Sequence, residues 1–306
     1  MNRPARRPPR AGLALVLVLM LVIVLVVLVA VIDSSDSTSS NLGLRTRPGS
    51  SATPGPVSTT TGTGLTATSA TVAPANVSSD HLPSRPSSTP TASDPLRLWV
   101  GGDSLAAGPS WAVFEDATKT GVVKPLAEYQ VGTGLVRNEF WDWPRHMDAV
   151  VRARNPQISV FMVGANDDQG IEVNGASYLP PSPEWTTEYT KRVDALMATL
   201  TRDGRRLIWI GMPPMQDAAY SQSMNELNQV FQSEAAKYKR VTYLDAWTMF
   251  SAPGSPGTYA SDVPDTSGQL TNVRLDDGIH LNVAGSQLLS QAVMADLAKM
   301  VNLPPS

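Results

Sequence analysis

The sequence predicts an α/β domain, a parallel β-sheet with helices on both faces, confined to the last two thirds of a 306-residue chain. Three observations predict it. All the aromatic residues (7 Trp, 7 Tyr, 5 Phe) lie at or after Trp99, so the bulk needed for a packed core is there. Beyond that point short apolar runs of strand length alternate with stretches whose apolar residues recur at three and four, the order of a sheet buried under helices. Before it, the composition cannot offset the entropy of ordering the chain.

Residues 1–10 hold Arg3, Arg6, Arg7 and Arg10 and no acid, and read as a basic cytoplasmic tail. Residues 11–32, AGLALVLVLMLVIVLVVLVAVI, carry no charge. As a helix they would span roughly 33 Å at 1.5 Å per residue, enough for a bilayer core of about 30 Å. The run is long for a signal peptide, whose apolar region is about 7–15 residues, and no small-x-small cleavage pattern follows Ala30. The expectation is therefore an uncleaved single-pass anchor in the cytoplasmic membrane, N-terminus inside and the remainder outside. Residues 33–95 read as a disordered tether, since 45 of the 62 residues from 33 to 94 are Ser, Thr, Pro, Gly or Ala.

The folded domain is expected over 96–306. Strands are predicted at Leu96–Val100, Val122–Tyr129, Ile158–Val163, Leu207–Gly211 and Val241–Leu244. Helical spacing joins Trp185, Tyr189, Val193, Leu196, Met197 and Leu200, then Met224, Leu227, Phe231 and Ala235. A helix is expected to start at Pro144, and a last one to follow Asn282 as N-cap, burying Leu288, Leu289, Ala292, Val293, Ala295, Leu297 and Met300 on or near one face. In such a sheet ligands sit at the carboxyl ends of the strands.

Composition excludes several chemistries. The absence of cysteine removes disulfides, thiol nucleophiles and zinc-thiolate sites, and three histidines are too few for a multi-histidine metal centre. With 17 basic and 23 acidic side chains the 96–306 region is a poor partner for nucleic acid. There is no G-x-S-x-G, G-x-x-x-x-G-K-[ST] or G-x-G-x-x-G, and no cofactor is expected.

What remains is a set of polar groups at predicted strand ends. The first strand runs into Gly101-Gly102-Asp103-Ser104-Leu105, a turn that lifts a serine hydroxyl to the sheet edge, although Gly-Asp-Ser is also an ordinary turn composition. A serine nucleophile needs a base. His81 falls in the tether, His146 reads as a surface helix residue, and His280 stands in Asp276-Asp277-Gly278-Ile279-His280-Leu281, with Asp277 three residues ahead of it. That spacing lets one tight turn present a carboxylate to the imidazole, although a solvated loop would use the same residues. The third strand ends in Gly164-Ala165-Asn166-Asp167-Asp168, where an amide can face an oxyanion, and Val131-Gly132-Thr133-Gly134 can supply a backbone N–H.

These blocks stand in the order of the SGNH, or GDSL, hydrolases, which residues 96–302 resemble: Gly102-Asp103-Ser104-Leu105, a glycine near 134, Gly164-x-Asn166-Asp167 and Asp277-x-x-His280. The likeness is strongest to a bacterial envelope-associated branch, through Thr133-Gly134-Leu135 with Asp142-Trp143-Pro144, Trp209-Ile210-Gly211-Met212-Pro213-Pro214-Met215, and Arg274-Leu275-Asp276-Asp277-Gly278-Ile279-His280. The resemblance implies a flavodoxin-like three-layer α/β/α fold, with Ser104 as nucleophile, His280 as base and Asp277 as its orienting acid. Ser104 N–H, Gly134 N–H and the Asn166 amide would form the oxyanion hole. Gly132 competes with Gly134 for the second donor, and Leu281-Asn282 replaces the Phe-Thr of the pattern.

The function so implied is a membrane-tethered extracytoplasmic serine esterase or O-acyltransferase, acting on acyl, chiefly acetyl, esters of envelope glycans. Its rival is a non-catalytic glycan-binding or assembly protein that keeps the fold. Partners expected are an acylated carbohydrate or other ester, the cytoplasmic membrane through the N-terminal helix, and, as a speculation, a membrane acyl-donor protein. Gln169–Pro183 and Ser251–Val273 are long enough for binding loops. Trp141, Trp143, Trp185, Tyr178 and Tyr259 are candidates for stacking on a sugar, although core packing uses the same rings, and Arg137 and Arg274 for meeting an anionic substrate, although ordinary surface pairs would use them too.

Overall fold

The computed structural model describes residues Ser84–Pro304. The expected anchor at 11–32 and most of the tether lie outside them; among the described residues no helix is long and apolar enough to cross a membrane.

Five parallel strands form the sheet: β1 (Leu96–Gly102), β2 (Val123–Tyr129), β3 (Ile158–Met162), β4 (Arg206–Ile210) and β5 (Val241–Leu244). They stand in the spatial order 2-1-3-4-5, the flavodoxin-like arrangement, with each predicted strand in place to within two residues. β3 is buried along its whole length, as its run of apolar side chains requires of a strand covered on both faces.

Five helices cover the sheet: α1 (Ala107–Lys119), α2 (Trp143–Arg154), α3 (Pro183–Thr201), α4 (Ala218–Ala235) and α5 (Val283–Met300). α1 packs with α5, whereas α3 packs with both α2 and α4, giving a three-layer α/β/α body. Polar caps set where the helices start. Asp142, Ser182, Asp217 and Asn282 each accept a backbone N–H three residues on. On α5 the buried apolar residues are Leu289, Val293 and Leu297, while Ala295 faces solvent.

The core is organised by aromatic rings. Trp99 stacks on Phe161 at 5.5 Å, Phe161 meets Trp209 at 5.4 Å, and Trp209 meets Phe231 at 5.1 Å. Two of the rings named as sugar-stacking candidates belong to this packing: Trp143 is 1% exposed, edge-on to Phe161, and Trp185 is 3% exposed, stacked on Tyr189. Their indole faces gain more from the apolar core than from a hydrated groove.

The packed body begins before residue 96. Ser84 Oγ donates to the Asp203 carbonyl, Gln157 Nε2 to the Arg85 carbonyl, and Asn302 N–H to the Ser88 carbonyl. This segment is held largely through main-chain carbonyls and a hydroxyl, with Pro90 its one buried side chain, so its composition still reads as tether. Both long loops fold back as hairpins, Ile171–Val173 with Ala176–Tyr178, Ser251–Ala252 with Ser255–Tyr259, and Asp262–Pro264 with Leu270–Asn272.

Candidate active site

Ser104 opens a single 3-10 turn, Ser104–Ala106, between β1 and α1. The turn is pinned by the residue before it. Asp103, fully buried, accepts Leu105 N–H (2.9 Å) on one oxygen and Gly164 N–H (2.8 Å) and Ala165 N–H (2.9 Å) on the other. The end of β1 is thereby tied to the end of β3. Gly102 makes the approach possible, since a Cβ there would lie 1.6 Å from the Met162 carbonyl oxygen. Burial pushes the Asp103 carboxyl up to about 6 against the pull of its three N–H donors, so it is ionised at neutral pH.

His280 reaches the serine from the far end of the chain. Its Nε2 lies 3.0 Å from Ser104 Oγ and its Nδ1 2.7 Å from Asp277 Oδ2. The other Asp277 oxygen accepts the N–H groups of Ile279 and His280, both at 2.9 Å. Burial raises the Asp277 pKa, but those two donors and the imidazole outweigh it and hold the carboxyl below its usual 3.8. An ionised carboxylate only accepts, which places the imidazole proton on Nδ1 and leaves the Nε2 lone pair facing the serine hydroxyl.

The loop carrying the acid and base is braced by Arg274. Its guanidinium donates to the carbonyls of Ile279 (2.9 Å) and Pro214 (2.8 Å) and lies over the rings of Phe250 and Tyr259. At 4% exposed it is neither a contact for an anionic substrate nor a surface pair, the two readings open to it; burial pushes its pKa down to about 10, still cationic at neutral pH. Arg137 is exposed and pairs with Glu139. Asn282 replaces the threonine of the resembled pattern without loss of the cap, accepting Gly285 N–H at 3.0 Å.

The side where the oxyanion hole is expected is built around a second buried carboxylate, Asp167. It accepts Leu135 N–H (2.8 Å), Val136 N–H (3.1 Å) and the Tyr189 hydroxyl (2.8 Å), fixing the 133–136 loop against the end of β3. The two candidate glycines differ in their surroundings. Gly134 is buried and must be glycine, because a Cβ there would lie 2.0 Å from Asp167 Oδ1, whereas Gly132 is exposed at φ +74°. Asn166 is held by donating one amide hydrogen to the Thr133 carbonyl at 2.8 Å, which leaves the other available. Among the described residues no protein acceptor takes the N–H of Ser104 or Gly134.

All five predicted site residues thus surround the carboxyl edge of β1, β2 and β3. The reading missed Asp103 and Asp167 as structural groups; the available signal was an acid directly beside each proposed polar residue, in an otherwise apolar strand end. His146 also differs from expectation, being half-buried against Trp141 and Trp143 and 3.2 Å from Glu128. Among the described residues no group of three or more His, Cys, Asp or Glu side chains is placed to hold a metal ion.

No curated protein matches the chain in sequence. Among solved structures it is similar to a GDSL-like lipase from Bacteroides thetaiotaomicron, at 13% identity over 67% of this chain and 89% of that one, with a TM-score of 0.48. It is also similar to a carbohydrate acetylesterase family member from Sinorhizobium meliloti, at 14% identity over 68% of this chain and 99% of that one, with a TM-score of 0.46. Residues 97–296 match the family model described as "Protein of unknown function (DUF459)", and the chain belongs to that family.

Proposed function

We propose that the protein is a serine esterase or O-acyltransferase that works through an acyl-serine intermediate. The observation that carries this reading is the position of His280, hydrogen-bonded on one side to Asp277 and on the other to Ser104. His280 Nε2 takes the Ser104 proton as Oγ attacks the ester carbonyl carbon. The carbonyl oxygen, now negative, is held by the N–H groups of Ser104 and Gly134 and the free amide hydrogen of Asn166. Collapse breaks the bond to the alcohol oxygen, which leaves with the proton from His280, and the acyl group stays on Ser104. Water or a sugar hydroxyl then attacks, giving its proton to His280 and releasing Ser104.

A sugar acceptor is supported by a groove of about 340 Å³ lined in part by Gln216, Gln222, Trp247, Thr258 and Tyr259, a mixture of amide, hydroxyl and ring. Gln216 N–H donates to the Gly278 carbonyl at 3.0 Å, so this groove backs onto the acid and base turn. The uncharged run at 11–32 and its basic flank support the same reading, in which an anchored domain acts on acyl esters of envelope glycans.

The test is to mix the full chain with p-nitrophenyl acetate, quench, and read the Ser104 peptide by mass spectrometry. An acyl mass on Ser104 that disappears when glycan oligosaccharide is added, with the acyl group recovered on the sugar, is the transferase result. Recovery as free acid is the esterase result. Substrate consumption that continues unchanged in Ser104→Ala overturns the mechanism.

Removing one oxyanion donor has its own expected size. Asn166→Ala should lower kcat on the same ester by about 100- to 1000-fold, with KM nearly unchanged, because the lost contact is made to charge that exists only in the transition state. Steady-state kinetics read this directly, and a change confined to KM would remove Asn166 from the oxyanion hole.

A further inference from the structure

A second cleft, of about 490 Å³, opens at Ser104 and His280 and runs between α1 and the start of α5. Its walls are mostly apolar, with Leu105, Trp111, Ala112, Leu275, Leu281 and Val283, and the start of α5 adds the polar Asn282, Ser286 and Gln287. On α1, Gly108, Trp111, Ala112 and Glu115 follow each other at the spacing of one helix face, so the cleft follows the helix axis for about 10 Å before it reaches the first charge. Its rim keeps large apolar side chains in water, Trp111 at 53%, Leu275 at 48% and Val283 at 87% exposed. An acetyl group fills almost none of this.

Building on the acyl-serine reading above, we propose that this cleft holds an unbranched aliphatic acyl chain, of roughly the length of an octanoyl group, attached to Ser104. Continuity with the nucleophile argues for the acyl side of the ester. The acyl group remains bonded to Ser104 Oγ through both half-reactions, and α1 starts three residues beyond that serine. The alcohol must leave, and its replacement must enter, beside His280 Nε2, where the neighbouring 216–278 contact offers a polar surface. Glu115 at the far end limits the chain, since burying a methyl group against a carboxylate desolvates the charge without a partner.

The experiment measures kcat/KM of the full chain for the p-nitrophenyl esters of acetate, butyrate, hexanoate and octanoate, and for acetates of ethanol, butanol, hexanol and octanol. Wild type is compared with Ala112→Phe, which fills the cleft, and Val283→Asp, which charges its exposed rim without touching the core. The expected result is a rise of roughly fourfold per added methylene in the acyl series, levelling near octanoate, with the octanoate-to-acetate ratio falling at least about tenfold in both variants. Val283→Asp covers the case in which Ala112→Phe fails to fold. A flat acyl series overturns the chain site while leaving the acyl-serine mechanism standing. A rise in the alcohol series instead assigns the cleft to the leaving group and overturns the proposal. Loss of turnover with every ester sinks the mechanism and the chain site together.

Discussion

Ser104→Ala is expected to lower kcat on a chromogenic ester by about 10⁴- to 10⁶-fold, and His280→Ala by the same order, with folding unchanged in both. The reason is geometric. A neutral serine hydroxyl is a weak nucleophile, and the base placed to take its proton among the described residues is the imidazole 3.0 Å away, itself hydrogen-bonded to Asp277 at 2.7 Å. Removing either partner abolishes the same step, so the double variant should lose no more than about what each single variant loses. Asp277→Asn should cost somewhat less, on the order of 10⁴-fold, because the imidazole survives but its tautomer is no longer imposed. Initial rates with purified full-length protein decide the matter. Wild-type turnover equal to that of Ser104→Ala would show the serine idle and return the fold to a binding role.

The second large effect is on stability. Asp103→Ala is expected to destabilise the domain by about 3–5 kcal/mol, read as a lowered urea midpoint, since it strands three buried N–H groups and breaks the tie between β1 and β3. Asp103→Asn should fall between, because an amide offers an acceptor oxygen on one side only and turns its own NH₂ toward donors on the other. The two also differ in pH dependence. Burial keeps the folded carboxyl protonated up to about 6, whereas the unfolded chain releases its proton near 3.8. Between those values the native state holds more protons, so this group's contribution is full below about pH 4 and is lost as pH rises through 6, on the order of 3 kcal/mol in all. Wild type should show that slope and Asp103→Asn should lack it. Equal slopes in the two proteins would mean that Asp103 does not titrate in this window.

Asp103 and Asp167, the two buried carboxylates that tie the strand ends together, mark the boundary of what a linear reading reaches. The five strands were legible because each is an apolar run bounded by turn residues, and β3 in particular has no polar side chain except Ser159. The helices were legible from three- and four-residue spacing and from their caps, Asn282 among them. Ser104, Asn166, Asp277 and His280 could be singled out because the chain has no cysteine and only three histidines, and these residues fall at predicted strand ends or before the last helix.

Residue type alone could not say which way a side chain faces. Trp143, Trp185 and Arg274 have the chemistry of binding residues, and the fold spends them on packing and on bracing the catalytic turn. Gly132 and Gly134 are equivalent in composition, and only the position of Asp167, 33 residues further on, leaves room for hydrogen alone at 134. Element type and the identity of the reactive groups follow from short-range periodicity and side-chain chemistry, which the sequence carries in each local window. Donor direction, the depth of the α1–α5 cleft and the role of each buried carboxylate depend on contacts between segments far apart in the chain, and such contacts exist only once the sheet has brought its strand ends together.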